Sequence, residues 1–430
     1  MLQCRVPPSP RSRTLRHLSE DYHHAIRDPL WQHIAVSEDV RAIIQLAGFQ
    51  ELRGIMQLGP AHIVYPGATH SRFAHSLGVF HLARLLLTQL LRTSEWQLEP
   101  EEARAFLFAA LIHDVGHYPY AHSLKDLGLR RHEQLTADWV RSPEPSALFR
   151  ERLGVDPALV ASVVDAGANA GVDSPSLPLF RRLLSGLLDP DKLDYLNRDA
   201  YHCGVPYGIQ DIDYVLGALT LASGPGGDRL TMARKGVPAI EATLFARYLM
   251  YRTVYWHKTV RAATSMIKKA VLVAMEEGAL VAAQLYHQDD AGFQRLLSDA
   301  PPPSRALAAR VFERRLLRVV HTEPYDQLRH APLEAPAARL PLEAQLAELL
   351  SSRGGRPIDP HEVVIDVPES ISFEVDIDVE GAPAATQTVF DRDVVAGFHR
   401  QLRAVTILAP EDSVTPSHVQ PALAEVLGEH

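Results

Sequence analysis

Ala109-Ala110-Leu111-Ile112-His113-Asp114-Val115-Gly116-His117-Tyr118-Pro119-Tyr120-Ala121-His122 carries an unbroken apolar run into three histidines and an aspartate. The run belongs to a helix expected over residues 101–115, and the cluster at its end demands an explanation. A buried aspartate beside a buried histidine is costly unless the two are paired or bound to a metal. Imidazole with carboxylate is a ligand set suited to Fe, Mn, Zn or Mg. One histidine alone would be read as a satisfied core or surface residue. The His113-Asp114 pair, with His75 upstream and Asp191 downstream, argues for a metal site.

Asp191 lies in Leu187-Leu188-Asp189-Pro190-Asp191-Lys192-Leu193-Asp194-Tyr195-Leu196-Asn197-Arg198-Asp199. Asp189 and Pro190 read as N-cap and first helical residue, so a helix starts here with its positive dipole end near the carboxylates. Asp191, Tyr195 and Asp199 recur every four residues and share a face with Lys192 beside them. Standing alone, that face would be a solvated charged surface. Upstream, Arg72 and His75 are spaced i, i+3 at the start of another helix, an arginine fork beside a metal ligand that suits a phosphate-bearing substrate. Downstream, Arg247, Tyr251, Tyr255 and Lys258 form a basic and aromatic stripe on a helix expected from Glu241 to about Leu280, although such stripes are as often core as ligand.

Working outward, Ser37 is placed to cap Glu38-Asp39-Val40, and Val79, Leu82, Leu86 and Leu90 step as an amphipathic helix requires. Further helices are expected at 179–188 and 191–202. After Pro301-Pro302-Pro303 the period changes to two, at Val363–Val367, Ile371–Val379 and Val405–Leu408, which predicts strands in a small α+β lobe. The chain has 430 residues, 46% of them hydrophobic, and 25 Gly and 31 Pro, the composition of a folded protein rather than a disordered or collagen-like one. A net charge of −9 argues against a broad nucleic-acid-binding face, so nucleic acid is not an expected partner. Two cysteines, without CxxC spacing, point to a reducing cytoplasm and away from a disulfide framework. The longest apolar run, Ala105 to Ile112, is far short of the ~18–20 residues that span a bilayer. Met1 to His17 has four arginines and three prolines but no apolar core, and reads as a disordered tail rather than a secretion signal.

These pieces, in this order, resemble the HD-domain metal-dependent phosphohydrolases, whose signature is His, then His-Asp, then Asp. The strings Gln57-Leu58-Gly59, Tyr65-Pro66-Gly67-Ala68, Arg72-Phe73-Ala74-His75-Ser76-Leu77-Gly78-Val79, His132-Glu133-Gln134 and Val254-Tyr255-Trp256-His257-Lys258 resemble more closely the deoxynucleoside triphosphate (dNTP) triphosphohydrolases. That branch includes bacterial dGTPase-like enzymes and the animal enzyme that joins an SAM domain to an HD domain. The resemblance covers roughly Asp28 to Lys269. It implies a mainly α fold with an HD-domain helical core, placed at 21–295 between the tail expected to be disordered over 1–20 and the C-terminal α+β lobe expected over 296–430.

Carried over residue by residue, the resemblance makes His75, His113, Asp114 and Asp191 the ligands of one divalent metal ion, with Mn, Mg, Fe, Zn and Ni not distinguished. His117 and His132 match the family's catalytic histidines. Arg72, His122, Lys192, Tyr195 and Arg247 match positions that hold the triphosphate. Gln57 and Asp199 match those that read the sugar 3′-hydroxyl, Leu58 lies beside them, and Tyr255 matches the aromatic packed on the sugar. The implied reaction is attack at the α-phosphorus of a dNTP, releasing deoxynucleoside and triphosphate. A homo-oligomer, dimer or tetramer, and an activating nucleotide are implied as partners. Departures are present: Lys125 stands where the animal enzyme has an assisting aspartate, with Asp126 one position on. Arg53, His257 and Lys258 resemble parts of a regulatory nucleotide site, but Arg27 and Ala239 replace asparagines there. Two alternatives stay open, an HD phosphohydrolase of another phosphoester and a nucleotide-binding regulatory protein with an inactive site. A zinc peptidase is disfavoured: His113 and His117 have HExxH spacing, but position 114 is Asp, and Gly116 and Pro119 disturb the helix.

Overall fold

The computed structural model describes residues 8–428 apart from 169–170, 225–226, 355, 372–376, 380–381, 384–387, 391 and 412–413. Helix α1 (Pro10–Glu20) corrects the expected disordered tail over those residues. Its Thr14 and Leu18 are buried, the Thr14 hydroxyl donates to the Leu98 carbonyl at 2.6 Å, and Arg11 and Arg13 pair with Glu95 and Glu99. Two of the four arginines of the expected disordered tail are thus paired with acids more than 80 positions along the chain. Residues 1–7 lie outside the described residues.

A two-stranded hairpin follows, β1 (His24–Asp28) paired antiparallel with β2 (Gln32–Val36), and then α2 (Glu38–Ile44). Ser37 caps α2 as its sequence suggests, accepting from the Val40 N–H at 3.3 Å. The core is built by α3 (Arg72–Thr93), α4 (Pro100–Ile112), α5 (His132–Arg141), α6 (Leu177–Ser185) and α7 (Pro190–Cys203). Leu82, Leu86 and Leu90 of α3 and Phe106 of α4 are fully buried, each side chain contributing about 1.5–3 kcal/mol on leaving water. Helix α4 stops at Ile112, short of the expected Val115, so His113 and Asp114 stand on a turn rather than inside a helix.

The long helix expected from Glu241 is two helices. Between α8 (Val237–Met250) and α9 (Lys258–Glu276) the chain makes a π-helical turn over Tyr251–Tyr255, where the Trp256 N–H bonds back to the Tyr251 carbonyl at 2.8 Å. His257 then caps α9, its Nδ1 accepting from the Thr259 N–H at 3.2 Å. The wider turn breaks the regular four-residue stripe, and π-turns of this kind recur at functional sites.

Beyond residue 300, α10 (Pro302–Phe312) packs Leu307 and Val311 into the apolar cluster that holds Ala263 and Met266 of α9. Strand Arg318–Pro324, helix α11 (Pro336–Gly354), strand Val364–Asp366 and a later strand, Ala404–Ala409, form the small α+β unit, with Ala404–Ala409 central and antiparallel to both neighbours. Of the strand expected over Ile371–Val379, only Asp378–Val379 is seen, and 372–376 lie outside the described residues. That pair runs parallel to Gly227–Met232, which itself hairpins with Leu219–Gly224. Part of the C-terminal third is therefore stitched to a sheet contributed by earlier sequence. Buried ion pairs join α9 to the C-terminal unit: Arg261 with Asp366 (3.0 Å through Nε) and Lys269 with Glu343 (2.7 Å). No helix among the described residues is long and apolar enough to cross a membrane.

Candidate functional site

Ser71 caps α3, accepting from the Ala74 N–H, and so places Arg72 and His75 one turn apart at its start, both buried. Asp189 caps α7, accepting from the Lys192 N–H at 2.6 Å and from its ammonium at 2.6 Å, which sets Asp191 in the first turn. The turn after α4 is clamped from α5: the Thr136 hydroxyl donates to the His113 carbonyl at 3.0 Å and accepts from the Gly116 N–H at 2.8 Å. Only glycine fits at 116, since a Cβ there would lie 2.2 Å from the His132 carbonyl. This close approach carries His132 to His117.

His75, His113 and Asp191 direct ligand atoms that lie within 4.8 Å of one another. His75 Nε2 is 2.9 Å from Asp191 Oδ1, and His113 Nε2 is 3.7 Å from it. Asp114 adjoins the group, 3.3 Å from His113 Nε2 and 3.9 Å from His75 Nε2, while its other face receives the Arg72 guanidinium at 2.7 Å. The imidazole protons are placed by their outer nitrogens. His75 Nδ1 is 2.8 Å from Asp194, and His113 Nδ1 is 2.9 Å from the Ala110 carbonyl. Both Nε2 atoms then face inward, and His113 Nε2 is buried with no protein partner. Burial opposes charge on His75, yet Asp191 and Asp194 outweigh it and bring its pKa up to about 10, so its Nε2 holds a proton against Asp191 wherever no cation takes that place. The arrangement calls for a cation, and two imidazoles with two carboxylates fit a divalent ion.

A second cluster of histidines serves a different purpose. His117, His122 and His132 also gather their nitrogens within 4.8 Å. The rings of His117 and His132 stack at 3.8 Å with a 20° interplanar angle, so their in-plane lone pairs run side by side rather than converging on an ion. His117 Nε2 lies 3.2 Å from Asp114. Burial, with Arg72 and His132 nearby, holds His117 well below its ordinary value. Burial likewise brings His132 to about 4, against the pull of Asp114. The pair is neutral at pH 7.

The sign of this shift gives a prediction. As the pH falls below about 6.5, the unfolded chain protonates His132 before the folded chain does, so stability drops down to about pH 4 and is unaffected by this group above 6.5. The urea midpoint should fall between pH 7 and pH 5, and His132→Gln should reduce that fall.

Every site residue expected from the sequence except His117 lines one cavity of about 680 Å³, and His117 lies beneath, against His132. Asp199 is held on both oxygens, by His70 Nε2 at 2.8 Å and the Tyr255 hydroxyl at 2.7 Å. Arg72 Nε and Gln57 Oε1 are buried without a protein partner, each left to a ligand at a cost of about 1–3 kcal/mol if unmet. Lys125 lines the cavity, whereas Asp126 turns away and pairs with Lys268 at 2.8 Å. Of the residues linked to a regulatory site, Arg53 lies over the Phe73 ring and His257 caps α9, and neither lines the cavity. Sequence reasoning missed Trp256, Arg261 and Glu369-Ser370-Ile371, which also form the cavity wall. The last three come from the C-terminal third and carry no motif that could have announced them.

Residues 72–148 match the HD domain model and residues 218–383 the HD-associated region. An uncharacterized protein of Methanocaldococcus jannaschii is 31% identical over 303 residues, 70% of this chain and 60% of that protein. The deoxynucleoside triphosphate triphosphohydrolase SAMHD1 of Bos taurus is 26% identical over 287 residues, 59% of this chain and 48% of that protein. The chain thus spans about half to three-fifths of the length of these curated relatives. Among solved structures, a phosphohydrolase from Bacteroides thetaiotaomicron superposes with a TM-score of 0.68 at 23% identity, covering 90% of this chain and 100% of that one. A hypothetical protein from Aquifex aeolicus gives 0.69 at 23% identity, with 94% and 99% covered. The HD domain model and the HD-associated model together match more than half of the chain, and the ordered His, His-Asp, Asp set sits where the helices meet: the chain belongs to the HD superfamily.

Proposed function

We propose that this chain is a metal-dependent phosphohydrolase of dNTPs that releases deoxynucleoside and intact triphosphate. The observation that carries this reading is one cavity in which the His75, His113 and Asp191 donors adjoin a neutral histidine pair and the unsatisfied Arg72 Nε. The likeness to SAMHD1 proteins, 25–26% identical in Dictyostelium discoideum and Bos taurus, supports the choice of substrate.

In this reading His75, His113, Asp114 and Asp191 hold one divalent ion, which when bound lowers the pKa of water or polarises a phosphoryl oxygen. Arg72, His122, Lys192, Tyr195 and Arg247 bind the triphosphate, and Arg72 keeps one nitrogen on Asp114 while offering Nε to a phosphate oxygen. His132 faces the cavity and takes or returns a proton at the α-phosphate, with His117 stacked behind it. Asp199, oriented by His70 and Tyr255, and Gln57 accept and donate at the 3′-hydroxyl, while the Tyr255 ring and Leu58 pack on the sugar. A dimer or tetramer belongs to the same reading, and light scattering with and without dNTPs tests it: a strictly monomeric active enzyme overturns that part.

The deciding experiment separates, by ion exchange, the products from the four dNTPs and GTP, singly and in pairs, for wild type and Asp114→Ala. Triphosphate and deoxynucleoside from wild type alone are expected, and acceleration in paired mixtures would reveal an activating nucleotide. Phosphate or pyrophosphate as product moves the substrate to another phosphoester. Intact nucleotides in every mixture, with metal bound, overturn the reading.

A further inference from the structure

We infer that the N-terminal hairpin, β1 with β2, is the outer support of the metal site, acting through Trp31 and Asp28 on Asp194 and thereby on His75. The inference rests on His75 being a metal ligand. The hairpin precedes the residues that match the HD domain, 72–148, and its contacts reach Asp194 and Arg198 of α7, beyond them.

The chain of contacts is continuous and buried. Asp28, at the end of β1, folds its turn by accepting from the Leu30 and Trp31 N–H groups at 2.9 and 2.8 Å. That turn aims the Trp31 indole, whose Nε1–H donates to Asp194 Oδ1 at 2.5 Å. The other Asp28 oxygen receives Arg198 Nη1 at 2.8 Å. Arg198 in turn grips Asp194 with two nitrogens, Nε on Oδ2 at 2.8 Å and Nη2 on Oδ1 at 2.9 Å. Asp194 Oδ2 is thereby left facing His75 Nδ1 at 2.8 Å. The Asp194 and Arg198 side chains are 0% exposed.

Each link has one job. Trp31 and Arg198 restrain the carboxylate, and the carboxylate chooses the Nδ1–H tautomer and fixes the ring plane, so that Nε2 presents its lone pair to the ion. Carboxylate partners of metal-bound histidines act in this way, and their loss costs about 10–100-fold in metal affinity. Gly78 confirms how closely the parts are fitted, since a Cβ there would lie 1.8 Å from Asp194 Oδ1. Trp31 is thus a positioning residue, and it touches neither the cavity nor the donor atoms.

The test titrates full-length protein, stripped with a chelator, with Mn²⁺ alone at one pH, and follows thermal unfolding of each metal-free variant in parallel. Wild type should bind one Mn²⁺. Trp31→Phe, which keeps the ring packing but loses the donor, should fold and bind more weakly by up to about 10-fold, the lower end of what loss of the carboxylate itself would cost. His33→Ala, on the exposed face of β2, should bind as wild type does. A folded Trp31→Phe with wild-type affinity overturns the inference, because a purely structural role would move the melt and not the affinity. If Trp31→Phe does not fold, Asp194→Asn decides on the same readout: weakened binding supports the network and unchanged binding overturns it. Wild type that binds no Mn²⁺ overturns the metal reading itself, a result that no variant can mimic.

Discussion

Asp191→Asn should yield a folded protein that holds its divalent ion poorly and has lost about a thousandfold or more of its turnover. Asp191 Oδ1 lies 2.9 Å from His75 Nε2, and its side chain is 34% exposed toward the cavity, the most open of the ligand set. Asparagine keeps the shape and the helix start, because the cap is Asp189, but it removes a full negative charge. Asp114 does not compensate, since Arg72 already neutralises it at 2.7 Å. Burial opposes charge on Asp191, while the His113 and His75 contacts pull its pKa well below the usual range, so the charge is present at neutral pH. A bound ion contributes several kcal/mol to phosphoryl chemistry, and each 1.36 kcal/mol is tenfold in rate, which sets the size of the loss. Metal content after gel filtration, with product analysis on the same sample, checks it; an Asp191→Asn enzyme with wild-type turnover would be fatal to the proposed site.

The largest effect on stability is expected at Gly78. An alanine Cβ there would sit 1.8 Å from Asp194 Oδ1 and 2.5 Å from Arg198 Nη2. Neither group can retreat, because Asp194 is held by His75, Trp31 and Arg198 at once. The added methyl must push α3 from α7 or split the buried ion pair, and breaking such a pair costs about 3–5 kcal/mol. That is a large share of the ~5–15 kcal/mol by which domains are stable. Gly78→Ala should therefore give little soluble protein and a melt far below wild type. A variant that melts with the wild type would mean that the helices are not packed so closely.

Much of this arrangement is legible in the linear order of residues. Ser37 and Asp189 are cap residues whose hydrogen bonds span three positions, and each forms as its sequence suggests. The four-residue recurrence of Asp191, Tyr195 and Asp199 needs only a regular helix to put all three on one wall. Elsewhere local pattern falls short. The first residues lack an apolar core and read as a disordered tail, but Glu95 and Glu99 pair with Arg11 and Arg13 in α1. The stripe from Glu241 was read as one helix, and a π-turn divides it where Tyr251 and Tyr255 face the cavity.

Asp126 and Lys125 mark the boundary between the two kinds of information. Their order in the chain leaves open which faces the substrate, and the answer depends on Lys268 of α9, 142 residues away, drawing Asp126 out at 2.8 Å. Trp31, 163 positions from Asp194, is a similar case, as is Glu369 on the cavity wall. The linear order supplies the chemical groups and their local spacing: two imidazoles, two carboxylates, a histidine pair and basic residues on short helical repeats. Long-range packing selects which of them converge, which nitrogen of each imidazole faces inward and what supports it. Caps and helical faces are set by interactions over three or four residues, whereas convergence depends on helices packing at close range across the whole chain.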